Sequence, residues 1–186
     1  VQSPLSCRNY IPHLTLRSTV CALMVNFLQP ALYSVLLDPM CGGGTILLEA
    51  ATVCKLRSVT AHRVKEEHRI SLTLCDITHL DFLNSFAGHR VASLPLKNFS
   101  IDAIVCDFPF GQKHCVENPN LFKILLEQIH RVLVHGGRAV LLVSTKQEMQ
   151  LKQLLTHQND GLTLLSSHML SLGETSAYVC ILTKKS

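Results

Sequence analysis

Val35-Leu36-Leu37-Asp38-Pro39-Met40-Cys41-Gly42-Gly43-Gly44-Thr45 runs straight into Ile46-Leu47-Leu48-Glu49-Ala50-Ala51. The apolar run at 34–37 reads as a buried strand, and the second apolar segment as a helix from about Thr45 to Val53. Between them sits a glycine-rich turn. A strand that feeds such a turn, which in turn opens a helix, is how α/β proteins hold a nucleotide-like cofactor at a strand's carboxyl end. The turn is not a phosphate loop, because no Lys-Ser or Lys-Thr follows the glycines. Nor does it read Gly-x-Gly-x-x-Gly, since Leu47 stands where the third glycine would be, and this disfavours a dehydrogenase.

A second strand-then-turn unit lies downstream. Ile101-Asp102-Ala103-Ile104-Val105-Cys106 is strand-like and ends in Asp107-Phe108-Pro109-Phe110-Gly111. Asp107 offers a carboxylate, the Phe108 carbonyl a second acceptor once Pro109 fixes the turn, and Phe110 a flat face for stacking. The other reading makes Phe108 and Phe110 core aromatics at a strand end. Asp38 likewise reads either as a turn-capping aspartate or as a ligand for the cofactor held at this turn.

Outward from these units the pattern alternates. Ser18 to Leu28 has helical spacing and is stopped by Pro30. Ile70 to Ile77 reads as a strand, and residues 78–100 as loop with a short helix near Leu80 to Phe86. Leu121 to Leu133 is the clearest helix, with Leu121, Leu125, Ile129 and Val132 on one stripe. His135-Gly136-Gly137 is expected to terminate it through a left-handed glycine cap. Arg138 to Ser144 is a strand, and Gln147 to His157 a helix. Leu162 to Leu170 and Ala177 to Thr183 form a closing strand pair around Gly173. Near-continuous apolar strands separated by helices predict an α/β fold with a mainly parallel sheet covered on both faces. The last two strands are too close for a helical crossover, so that pair is expected to be antiparallel. With no linker or repeat, residues 1–186 read as one domain.

Composition excludes more than it assigns. At 186 residues and 47% hydrophobic the chain can bury one ordinary core. No apolar run approaches the roughly 18 residues of a membrane helix, and no secretory signal is visible. The net charge of +4 suits RNA phosphates but discriminates little. The eight cysteines include no Cys-x-x-Cys pair, and Cys21, Cys75, Cys106 and Cys180 lie in apolar runs, so they read as reduced core thiols. His114-Cys115 is adjacent rather than spaced for zinc, and no metal is expected. The charged stretch 55–69 reads as solvated surface.

Asp38-Pro39-Met40-Cys41-Gly42-Gly43-Gly44-Thr45 resembles motif I of S-adenosylmethionine-dependent methyltransferases, and Asp107-Phe108-Pro109-Phe110 resembles motif IV of those that modify exocyclic amino groups of bases. Together with Leu16-Arg17-Ser18-Thr19 before an apolar helix, they are similar to the THUMP-associated RNA guanosine-N2 methyltransferases. The resemblance covers most of the chain from about Asn9, and is weakest between 54 and 100. It implies a Rossmann-like class I methyltransferase that uses S-adenosylmethionine to make N2-methylguanosine in tRNA or snRNA. It implies cofactor binding by Asp38, Pro39, Met40, Cys41, Gly42, Gly44 and Thr45, and a base seat at Asp107, Phe108, Pro109 and Phe110. It also implies a small zinc-binding activator subunit as partner, an upstream THUMP module absent from these residues, and an intracellular site of action in nucleus or cytoplasm. The family carries a ribose-binding acid after its second strand. Here only one strand lies between the motifs, so either Asp76 is that acid or the strand is the third of the sheet and the ribose strand is missing. A non-catalytic or truncated binding subunit, and an acceptor such as adenine or a protein amide, stand beside the leading reading.

Overall fold

In the computed structural model the described residues are 16–31, 34–40, 44–53, 71–74, 94, 96–109, 120–157, 161–173 and 175–185. Their order is α1 (Ser18–Leu28), β1 (Val35–Asp38), α2 (Thr45–Val53), β2 (Ser71–Leu74), β3 (Ile101–Asp107), α3 (Leu121–Val132), β4 (Leu133–Ser144), α4 (Thr145–His157), β5 (Leu162–Leu172) and β6 (Thr175–Lys184). The strands form a six-stranded sheet in the order β2-β1-β3-β4-β6-β5. β2, β1, β3 and β4 run parallel, while β6 is antiparallel to both β4 and β5. This is the expected mainly parallel sheet with an antiparallel closing pair.

The apolar strands are continuous because both sheet faces are covered. Successive side chains of a strand point to opposite faces. Ile104, Cys106, Leu141, Val143, Cys180 and Leu182 therefore join one core with α3 and Leu151 of α4. Ala103, Val105, Val140, Leu142, Val179 and Ile181 join the other, with Met24 and Leu28 of α1 and Ile46 and Leu47 of α2. The predicted α3 stripe of Leu121, Leu125, Ile129 and Val132 is buried. Each such side chain contributes about 1.5–3 kcal/mol relative to exposure. Cys21, Cys106 and Cys180 are buried, as their apolar surroundings suggest. Among the described residues no helix is long and apolar enough to cross a membrane.

Several boundaries differ from the sequence reading. β1 spans Val35–Asp38 rather than 34–37, and α4 begins at Thr145, not Gln147. α3 does not end in a left-handed glycine. Leu133 at its C-cap is already extended, its N–H bonding the Ile129 carbonyl. The strand then starts at once, and the glycines lie inside it. The pairing jumps from Ile101↔Leu133 to Ala103↔Arg138, so Val134 to Gly137 form an irregular bulge. Gly136 has φ +74°, and a Cβ on Gly137 would lie 2.9 Å from the Asp102 carbonyl oxygen. The carbonyls at the end of α3 are met instead from outside the helix: the buried Lys184 ammonium donates to the His130 and Leu133 carbonyls. Helix α1 ends as expected before Pro30, with Gln29 left-handed at φ 47°.

β2 pairs directly with β1, Asp38 opposite Leu74. Asp76, the proposed short helix near Leu80 to Phe86, and the charged stretch 55–69 lie outside the described residues.

Candidate functional site

β1 and β3 are adjacent and parallel, Leu37 opposite Ile104, so the turns that follow them open on the same edge of the sheet. In open α/β sheets, ligands sit at this carboxyl edge. Asp38 closes β1 and is buried at 1% exposure. Its Oδ1 accepts a hydrogen bond from the Met40 N–H at 3.1 Å, so the carboxylate bends the chain sharply across Pro39. Gly44 takes φ +73°, a conformation that glycine adopts without strain, and α2 begins at the next residue. The Gly44 carbonyl receives the Leu48 N–H, and Thr45 is buried at the first turn. A helix N-terminus here leaves N–H groups without intrahelical acceptors and favours a negative group. Cys41 and Gly42 are outside the described residues, as is Gly43.

Asp107 is the last residue of β3, held in register opposite Leu142 of β4. It is half-buried, and burial pushes its carboxyl up to about 6. The backbone beyond is anchored: the Phe108 N–H donates to the Leu142 carbonyl at 3.0 Å. The Phe108 ring is a core aromatic, 2% exposed and edge-on to Phe122 at 5.0 Å. Any contribution from Phe108 to a ligand therefore falls to its carbonyl. Pro109 is described and Phe110 is not.

The structure brings Asp38, Pro39, Met40, Gly44, Thr45, Asp107, Phe108 and Pro109 to one sheet edge. It also adds a residue the sequence reading passed over. The Pro109 carbonyl accepts a hydrogen bond from the Gln147 side chain at 2.9 Å. The signal was there in Ser144-Thr145-Lys146-Gln147, a Ser-x-x-Gln capping pattern.

The sheet order, its antiparallel β6 and the paired turns define a class I methyltransferase fold. The profile of the UPF0020 family, the RMKL-like methyltransferase domain, matches residues 6–80 and 78–161, and the chain belongs to that family. Over 163 residues, 80% of the chain, it is 34% identical to the Bos taurus protein named U6 snRNA (guanine-N(2))-methyltransferase THUMPD2. Over 148 residues, 72% of the chain, it is 32% identical to the Mus musculus protein named tRNA (guanine(6)-N(2))-methyltransferase THUMP3. The chain spans only 30% and 29% of the length of these two relatives. Among solved structures, TrmN from Thermus thermophilus superimposes with a TM-score of 0.58 at 19% identity, covering 92% of this chain and 50% of that one. The S-adenosylmethionine-dependent O-methyltransferase TM0748 from Thermotoga maritima shares the fold at a TM-score of 0.56 and 12% identity, covering 94% of this chain and 68% of that one.

Proposed function

We propose that the chain is the catalytic domain of an S-adenosylmethionine-dependent RNA methyltransferase that methylates the exocyclic N2 of guanine in snRNA or tRNA. The observation that carries this reading is the half-buried carboxylate of Asp107 on the sheet edge that also carries the Asp38–Thr45 turn. The substrate class comes from the names of the relatives.

The described residues suit the cofactor: a buried carboxylate ends β1, a positive-φ glycine lets the backbone come close, and a helix N-terminus follows. Asp38, Pro39, Met40, Gly44 and Thr45 would hold it, with Cys41, Gly42 and Asp76 completing the set. When bound, it supplies an electrophilic methyl group on a sulfonium. The protein's part is largely to position two reactants in line. The guanine amino group is a poor nucleophile because its lone pair is delocalised into the ring. Asp107 would accept one of its N–H bonds and the Phe108 carbonyl the other, favouring the positive charge that develops as nitrogen attacks. With its carboxyl near 6, Asp107 is ionised at neutral pH yet basic enough to take the proton the amine loses. Pro109 would hold the turn and Phe110 stack on the base. Residues 1–186 would act as one domain. A small zinc-binding activator subunit is the proposed protein partner, and an RNA substrate places the reaction in nucleus or cytoplasm.

The test is incubation of the chain, alone and with the activator subunit, with U6 snRNA or tRNA and labelled S-adenosylmethionine, followed by nucleoside analysis. N2-methylguanosine is expected, lost in Asp107→Ala with S-adenosylhomocysteine binding retained. Methyladenosine, or label in protein amide, would move the assignment to the alternative acceptors. No turnover and no cofactor binding in either condition would make the chain a non-catalytic binding subunit.

A further inference from the structure

Helix α4 starts on a reciprocal cap. The Gln147 backbone N–H donates to the Ser144 Oγ at 3.3 Å, and the Ser144 N–H donates to Gln147 Oε1 at 2.8 Å. Each satisfies an amide that the first helical turn leaves without an internal acceptor. The cap has a consequence beyond the helix. With Oε1 committed to an N–H, the amide of Gln147 has only one orientation, since a flipped amide would set its NH2 against that donor. Nε2 is therefore aimed outward, and it meets the Pro109 carbonyl oxygen at 2.9 Å. Gln147 is part-buried, as is this contact. The other described tie on the same turn is the Phe108 N–H to the Leu142 carbonyl, on the strand that leads into this helix. The segment from Asp107 to Pro109 is thus fastened at both ends to one continuous stretch, 142–147.

We infer that Gln147 is a positioning residue for the turn that seats the acceptor base, its amide setting the Pro109 peptide and with it the direction of the Phe108 carbonyl. The inference rests on the proposed role of Asp107 to Phe110. Gln147 touches neither reactant; it acts through Pro109. Reaction geometry is steep in distance, and a misplacement of about 1 Å can cost about 100-fold in rate.

Gln147→Glu isolates the contact. Glutamate keeps the acceptor for the Ser144 N–H and favours a helix N-terminus, so α4 should stay capped. It has no N–H to offer Pro109, and at pH 8 its ionised oxygen opposes the carbonyl. In the full chain with U6 snRNA and tRNA, the expected result is a fall in kcat of roughly 10–100-fold, with S-adenosylhomocysteine affinity and Tm close to those of the parent. Gln147→Ala should lose kcat similarly and also lower Tm. An unchanged kcat and RNA KM in Gln147→Glu would overturn the inference. Hydrogen exchange at the Phe108 amide, read on the same samples, keeps the two ideas apart. If the parent chain turns over no RNA, the proposed function fails, while faster exchange in Gln147→Glu still supports the positioning role and unchanged exchange sinks it.

Discussion

In the proposed reaction, Asp107 sets stability against activity in one side chain. Burial lifts its carboxyl from 3.8 to about 6, so the folded protein favours the protonated form more than the unfolded chain does. For an acid raised in this way, folding is favoured most below the unfolded value. The advantage is lost as pH rises toward 6, where the folded protein must hold a poorly solvated charge. Asp107→Asn removes that charge and keeps the shape. It should raise stability at pH 7.5 by about 1–3 kcal/mol, checked by denaturant unfolding, while abolishing methyl transfer. An unchanged or lowered stability would show that Asp107 is better solvated than its burial suggests. The same shift sets a pH profile: kcat/KM should drop about tenfold for each pH unit below 6 as the acceptor oxygen is protonated. Motif chemistry made Asp107 visible in the sequence. The elevation of its carboxyl was not visible, because it depends on which elements cover the end of β3.

Helix α3 shows how an element can be read correctly and its end misread. Its stripe of Leu121, Leu125, Ile129 and Val132 is a local periodicity, and it buries as expected. Its terminus is not local. Gly136-Gly137 look like a cap, yet Leu133 pairs opposite Ile101, and strand pairing wins over capping preference. The glycines serve instead where β4 bulges against Asp102. The same helix organises the irregular segment before β3. Arg131 donates from Nη1 to the Leu96 carbonyl at 2.6 Å and to Asn98 Oδ1 at 3.0 Å, and from Nη2 to the Leu94 carbonyl at 2.8 Å. Gln128 Oε1, which also receives Arg131 Nη2, accepts the Leu94 N–H at 3.1 Å. Arg131→Ala should strip carbonyls and Gln128 of their donors together and cost about 2–3 kcal/mol by thermal unfolding. Arg131→Lys should recover little of it, since an ammonium lacks the planar fork. A loss below about 0.5 kcal/mol would show that solvent replaces the clasp.

Across the whole molecule, the sheet brings into register turns that are far apart in the chain. Asp38 and Asp107 reach one edge because β1 and β3 are parallel neighbours, with β2 on the far side of β1. If this edge holds the cofactor, S-adenosylhomocysteine at about 100 times its Kd should add about 2.7 kcal/mol. That corresponds to a Tm rise of roughly 5–10 °C for a chain of this size. Asp38→Ala should abolish the rise without unfolding the protein, and a full rise in that variant would move the cofactor elsewhere. The strand-turn-helix at 35–53, the buried stripes, the antiparallel closing pair and the acid-x-Pro turn are short-range patterns. Period, turn chemistry and apolar runs encode them within a few residues, so they were legible in the chain. The neighbour of β1, the extended exit of α3, the lifted carboxyl of Asp107 and the reach of Gln147 to Pro109 all join residues distant in sequence. They depend on pairing register and burial, which exist only once the sheet has assembled.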